Sequence, residues 1–197
     1  MFSGIIKSLG EITEIGQNGT NYTFTITSEL SKELSIDQSV AHNGVCLTVE
    51  SCNIAQHTVT AVNETMLKSN LGSWKIGDKV NLEKCITLSS LLDGHMVQGH
   101  VDDIGELVKI EDQDGSWNLT VRFNPKHANL IIEKGSISLN GISLTVFNVT
   151  NSEFTVTIIP YTWEHTMLHQ VKKGDQMNLE FDVVGKYIAR NLLTKAR

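Results

Sequence analysis

The residues of this chain best suited to chemistry lie in two short stretches. His95 and His100 bracket Gly94-His95-Met96-Val97-Gln98-Gly99-His100, and Cys46 sits in Val45-Cys46-Leu47-Thr48. An imidazole titrates near neutrality and can give or take a proton, and a thiol that ionises can attack an electrophilic carbon. Both residue types also have plainer uses: a lone histidine is often structural, and a cysteine in an apolar strand packs as a small hydrophobe. Asp182 ends an apolar stretch, where an exposed turn carboxylate is the simplest reading. His95, His100 and Cys85 would make three metal ligands, but their spacing fits no standard zinc pattern and no metal is expected. Cys46, Cys52 and Cys85 are odd in number and form no C-x-x-C pair, so they read as reduced thiols. Phosphate-cradling loops, a dinucleotide fingerprint and a nucleophile elbow are all missing.

What frames these residues is a repeat. Residues 39–85 laid over 136–182 at a constant offset of 97 align 47 positions without a gap, 17 of them identical. Asn43-Gly44 matches Asn140-Gly141, Leu47-Thr48-Val49 matches Leu144-Thr145-Val146, and Asn81-Leu82-Glu83 matches Asn178-Leu179-Glu180. With the offset reduced to 95, Met1 to Ile6 lies over Met96 to Val101, so the repeat begins at the first residue. A period this long is a domain rather than a solenoid unit. The positions that differ between copies are the informative ones: Cys46 faces Ser143, His42 faces Leu139, Phe2 faces Val97, Ile5 faces His100, and Asn63-Glu64-Thr65 faces Pro160-Tyr161-Thr162. Two pockets of one shape with different polar groups would suit a protein that binds two similar molecules and treats them differently.

Each copy reads as short strands. Tyr22 to Thr27, His57 to Val62 and Phe154 to Ile159 alternate with a period of two and are rich in Val, Ile, Thr and Phe. Asn18-Gly19, Asn43-Gly44, Asp114-Gly115 and Asn140-Gly141 supply residues that tolerate the positive φ of tight turns. The fold class that follows is all-β: two tandem homologous Greek-key-like antiparallel β-barrels plus a C-terminal helix. The expected divisions are 1–90, 91–183 and 184–197, with the junction near Ile86 to Asp93. Ser28 to Leu34 should make one or two serine-capped helical turns, and Pro125 should start a short helix to about Glu133. In the last segment Val184, Ile188 and Leu192 share a face with Tyr187, a stripe that must pack on its own domain or on another copy.

Composition narrows the partners. Hydrophobic residues make up 40% of the chain and charged residues 19%, enough for a packed core. Acidic residues outnumber basic ones by 22 to 16, which disfavours nucleic acid and anionic membrane as partners. No apolar run approaches a membrane span and no leader pattern opens the chain, so a cytoplasmic location is expected.

Four motifs carry a family resemblance: Met1-Phe2-Ser3-Gly4-Ile5, Ser39 to Val49, Gly94 to Asp102, and Asn140 to Val146. Over essentially its whole length the chain resembles riboflavin synthase, differing from the family's usual threonine at Ser3, with a less typical stretch at Ile86 to Leu92. The resemblance implies a dismutation of two 6,7-dimethyl-8-ribityllumazine molecules to riboflavin and 5-amino-6-(ribitylamino)uracil, without metal or redox cofactor. It implies a homotrimer joined through the C-terminal helix, with active sites between the N-barrel of one protomer and the C-barrel of the next; association with lumazine synthase stays open. Carried over residue by residue, the catalytic candidates are His100, Ser39, Cys46, Thr145 and Asp182. His100 is the expected proton acceptor, while Ser39, Cys46 or water adds to the acceptor ring. The N-barrel pocket would take Ser39, Cys46, Thr48 and the run Thr60, Ala61, Val62, Asn63, Glu64, Thr65, with Gly4, Ile5 and Ile6 contributing across the fold; Phe2 and Leu47 are also expected to bind substrate. The C-barrel pocket would take His100, Lys134, Ser143 and Thr145, with Gly99, Val101, Ile142 and Leu144 also expected to bind substrate. To these it adds Ile158, Ile159, Pro160, Tyr161, Thr162 and Trp163. The alternative implied by the same resemblance is a non-catalytic lumazine or flavin carrier; a flavin reductase barrel would need a nicotinamide domain.

Overall fold

The computed structural model describes residues 1–195 of the chain, with side chains to Leu192. It contains two closed six-stranded antiparallel barrels in tandem. The first uses β1 (Ser8–Asn18), β2 (Asn21–Thr27), β3 (Ser39–His42), β4 (Val45–Cys52), β5 (Gln56–Ala61) and β6 (Lys79–Lys84) in the order β1-β2-β5-β4-β3-β6. The second uses β7 (Asp103–Asp112), β8 (Trp117–Arg122), β9 (Ser136–Leu139), β10 (Ile142–Phe147), β11 (Glu153–Ile158) and β12 (Gln176–Phe181) in the equivalent order. Closure leaves no sheet edge unpaired.

Alternation builds each core. Along β5 His57, Val59 and Ala61 point inward while Gln56 is exposed and Thr58 and Thr60 are half-buried. Phe24 meets Trp74 edge to face at 5.1 Å in the first barrel, and Phe123 meets Phe154 at 5.8 Å in the second. Burial of such rings contributes roughly 1.5–3 kcal/mol each.

The barrels meet across an approximate twofold seam made of asparagines and glycines. Asn81 Nδ2 donates to the Asn140 carbonyl and Asn178 Nδ2 donates to the Asn43 carbonyl, each at 2.9 Å. At the centre Gly44 and Gly141 touch: a Cβ on either would stand 2.7 Å from the other's amide nitrogen. Both also hold left-handed φ, 79° and 81°, so only glycine suits the position. Phe2 and Val97 form a backbone bridge nearby, and with Ala41 they make a small third core.

Helical content differs from expectation in detail. Ser28 caps a 3-10 turn at Glu29–Glu33, accepting from Leu30 N at 3.1 Å. The turn opened by Pro125 stops at Leu130, short of Glu133, because Ile131 is extended and Lys134 adopts a left-handed φ of 64°. Two six-residue helices were not expected: α1 (Asn63–Lys68) and α2 (Pro160–His165) cap the strands that precede them. They are too short for apolar periodicity to reveal. The final helix α3 spans Val183–Lys195, and residues 196–197 of the expected terminal helix lie outside the described residues. No described helix is long and apolar enough to cross a membrane.

Candidate functional site

The two site regions are built from the same parts. In the first barrel β3 and β4 set Ser39 opposite Thr48, and in the second β9 and β10 set Ser136 opposite Thr145. Cys46 and Ser143 occupy matching places one turn of pleat away. The Cys46 thiol is half-buried; burial pushes its pKa up, partly offset by the Ser39 hydroxyl beside it. That shift keeps it protonated near neutrality and removes the simplest route to a thiolate nucleophile.

Each barrel then receives a strip of chain tethered to the other. Gly99 carbonyl accepts from Cys46 N at 2.8 Å, and a Cβ on Gly99 would lie 2.5 Å from Cys46 Cβ. Gly4 carbonyl accepts from Ser143 N at 2.8 Å, and a Cβ on Gly4 would lie 2.6 Å from Ser143 Cβ. The arrangement exchanges two of the expected neighbourhoods. Gly4 and Ile6 pack on the C-barrel, whereas Gly99, His100 and Val101 line a cavity on the N-barrel. The repeat pairs these strips in sequence but carries no sign of which barrel each leans on.

That N-barrel cavity holds about 200 Å³ and is walled by Val45, Cys46, Glu64, Thr65, Lys68 and Ser69 beside the Gly99–Val101 strip. Thr60 reaches Thr23 Oγ1 at 3.1 Å and Glu50 at 2.9 Å on the outer sheet, Ala61 is buried, and Val62 precedes α1 with Asn63, Glu64 and Thr65 in its first turn. Leu47 belongs to the barrel core and Thr48 is exposed. The His100 side chain is exposed at the cavity, while its backbone is fixed by a hydrogen bond to Glu180.

On the C-barrel His95 Nδ1 stands 2.7 Å from Ser143 Oγ. Burial lowers the His95 pKa, and the Asp182 carboxylate opposes the shift, so these three groups share one neighbourhood. Asp182 Oδ1 also accepts from Val184 N at 2.9 Å and starts α3. Thr145 is exposed on β10, Leu144 is half-buried, and Ile142 and Ile158 are core residues. Ile159 precedes α2, which presents Pro160, Tyr161, Thr162 and Trp163; Trp163 stacks on Trp117 at 4.5 Å, and Tyr161 on His165 at 4.1 Å. Lys134 Nζ lies 5.2 Å from the Phe147 ring centre. Phe2 is buried at the seam and Ile5 is half-buried beside the crossing strip.

Several neighbours of these groups escaped the sequence reading. Lys68 follows Glu64 by four residues, a spacing that puts both on one helical face, but the helix itself was not foreseen. Ser136 is the counterpart of Ser39 and Trp117 the counterpart of Tyr22 in strand register. Among the described residues no cluster of three His, Cys, Asp or Glu side chains could hold a metal ion.

Twin barrels of one strand order, each crossed by a strip from the other, define a class, and comparison with known proteins gives it a description: the lumazine binding domain matches twice, over residues 3–85 and 98–182. By sequence the chain is 40% identical over 196 residues to the riboflavin synthase of Actinobacillus pleuropneumoniae, covering 99% of this chain and 91% of that one. It is 34% identical over 193 residues to the riboflavin synthase of Bacillus subtilis, covering 98% and 90%. The chain belongs to the riboflavin synthase family. The same fold appears in LumP complexed with riboflavin, with a TM-score of 0.86 and 20% identity over 92% of this chain and 99% of that one.

Proposed function

We propose that the chain is a riboflavin synthase, a transferase that dismutates two 6,7-dimethyl-8-ribityllumazine molecules. One molecule gives up a four-carbon unit and leaves as 5-amino-6-(ribitylamino)uracil; the other receives it and becomes riboflavin. The observation that carries this reading is that one frame presents unlike groups twice: Cys46 against Ser143, Glu64 against Tyr161, Lys68 against His165, and His100 against Ile5. Identical rings bound in unequal surroundings can take unequal roles.

The methyl group on an electron-poor pteridine is acidic because its carbanion delocalises into the ring, so no strong base, metal or redox cofactor is required. The protein's main contribution is to hold two rings face to face, an effect worth up to roughly 7–11 kcal/mol in favourable systems. In this reading His100 accepts the methyl proton directly or through water, and Ser39, Cys46 or water adds to the acceptor ring. Because the Cys46 thiol is held protonated, Ser39 or an ordered water is the better candidate for that addition. Thr145 and Asp182 bind or orient on the opposite ring, with the remaining rim residues of both barrels in contact with substrate.

The N-barrel cavity of about 200 Å³ is small for two stacked rings. The reading completes it with the C-barrel of a second protomer, in a homotrimer held by α3. Val184, Tyr187, Ile188 and Leu192 are all exposed on the single chain, an apolar stripe with room for such a neighbour. The divisions 1–90, 91–183 and 184–197, a cytoplasmic location and association with lumazine synthase belong to the same reading.

Incubating the purified protein with the lumazine and following riboflavin absorbance tests the activity. Turnover is expected; tight binding with ligand fluorescence and no turnover would make it a carrier instead. His100→Ala should then lower kcat far more than it weakens binding, and an unchanged kcat removes His100 from proton transfer.

A further inference from the structure

Two buried carboxylates remain that neither touch the cavity nor pair with a cation in the manner of the surface residues. Glu83 is the last residue but one of β6 in the first barrel and Glu180 the last but one of β12 in the second, at matching positions of the repeat, and both are almost fully buried. Burial raises both pKa values; the Ser3 hydroxyl and backbone N–H groups oppose the rise at Glu83, and backbone N–H groups together with the Lys186 charge oppose it at Glu180. Glu83 accepts from Ser3 N at 2.8 Å, Ser3 Oγ at 2.6 Å and Gly4 N at 3.0 Å. Glu180 accepts from Gln98 N at 2.6 Å, Gly99 N at 2.9 Å and His100 N at 2.9 Å. Three donors converging on one carboxylate fix a loop more firmly than neutral acceptors would, because charge-assisted bonds are roughly twice as strong.

The loops so fixed do not serve the barrel that fixes them. The strip held by Glu180, on the C-barrel, is the strip whose Gly99 carbonyl bonds Cys46 N and which walls the N-barrel cavity. The strip held by Glu83, on the N-barrel, is the one whose Gly4 carbonyl bonds Ser143 N on the C-barrel. We propose that Glu180 and Glu83 are positioning residues that act crosswise, each setting one wall of the ligand site on the opposite barrel. The inference rests on the reading that each barrel binds a lumazine or flavin ring.

Glu180→Gln tests it on the whole chain, with riboflavin as the probe and hydrogen exchange read peptide by peptide. The amide nitrogen of glutamine would face N–H donors, so at least one of the three bonds is lost. Without ligand, exchange at Gln98 to His100 should quicken. With ligand, the protection of residues 45–49 and 64–69 should need at least tenfold more riboflavin, while protection of 142–146 and 161–166 shifts less than twofold. Glu83→Gln should give the mirror result. Glu180→Asp, which keeps the charge on a shorter arm, should recover part of the N-barrel affinity, and it carries the test if the glutamine variant fails to fold. Weakening confined to the variant's own barrel, equal weakening of both, or no change in either overturns the crosswise role. Absence of riboflavin protection anywhere in the unmodified protein overturns the ligand reading itself and this inference with it.

Discussion

The two barrels share a strand order, a seam and a buried glutamate at matching positions, yet their interiors differ in one telling place. In the N-barrel His42 Nε2 meets His57 Nε2 at 2.9 Å, and His57 Nδ1 meets Ser31 Oγ at 2.8 Å, all three fully or almost fully buried. In the C-barrel the equivalent positions hold Leu139 and Phe154, both core hydrophobes. A hydrogen-bonded chain and an apolar contact fill the same space, so barrel closure does not dictate which is used. The choice sets how each half responds to acid. Burial lowers the pKa of His42 to about 3, helped by the charge of His57, and lowers that of His57 to about 4. The pair is therefore neutral in the fold, with one ring nitrogen donating to the other.

The comparison can be broken or sharpened by substitution. The largest effect should come where the barrels are alike: Gly44→Ala puts a Cβ against the Gly141 amide at a left-handed φ, costing about 3 kcal/mol or more in thermal or urea unfolding. A normal melting curve would mean that the seam is softer than its contacts suggest. Removal of α3 by truncation after Asp182 should leave monomers with little activity, and a fully active monomer would refute a site shared between protomers. Next comes acid. Because both folded pKa values lie below the unfolded 6.5, the unfolded chain binds more protons, and the pair's stability is present above pH 6.5 and is lost as pH falls to about 4 for His57 and about 3 for His42. The slope reaches about 1.4 kcal/mol per pH unit for each group. Replacing the pair by the C-barrel residues, His42→Leu with His57→Phe, should flatten that loss in urea melts across the window. Glu83 and Glu180 are raised in both barrels and present in both proteins, so their shifts cancel in the comparison. The smallest effect belongs to Cys46→Ser, which gives the N-barrel the C-barrel's side chain; stability should move by less than about 1 kcal/mol while ligand affinity at that cavity changes.

Much of this was legible from residues alone, and the reason is the repeat. Asn43-Gly44 and Asn140-Gly141 announced tight turns, and alternation in His57 to Val62 announced a half-buried strand, because both signals are local. The pairing of Cys46 with Ser143 and of His100 with Ile5 was visible too, since a constant offset needs no structure. What stayed hidden depends on contacts across the chain. His100 leans on the N-barrel and Gly4 on the C-barrel because Glu180 and Glu83 direct the strips there, and no local pattern encodes that crossing. His42 and His57 lie fifteen residues apart on strands that are not neighbours in the barrel order, so their ring contact could not be anticipated. The short helices α1 and α2 were missed because six residues give too few turns for an apolar face to emerge.

The glycine contact at the seam also bears on how the halves could diverge after the gene doubled. A residue that meets only its own half can change alone, and the rims carry such changes freely. Gly44 and Gly141, Asn43 and Asn140, and Asn81 and Asn178 instead meet each other's copies. A substitution in one copy alone meets an unaltered partner, so drift at these places is arrested in both. The chain thus keeps an internal record of its ancestor at the join, while positions such as Cys46 and Ser143, or Glu64 and Tyr161, have been free to part company.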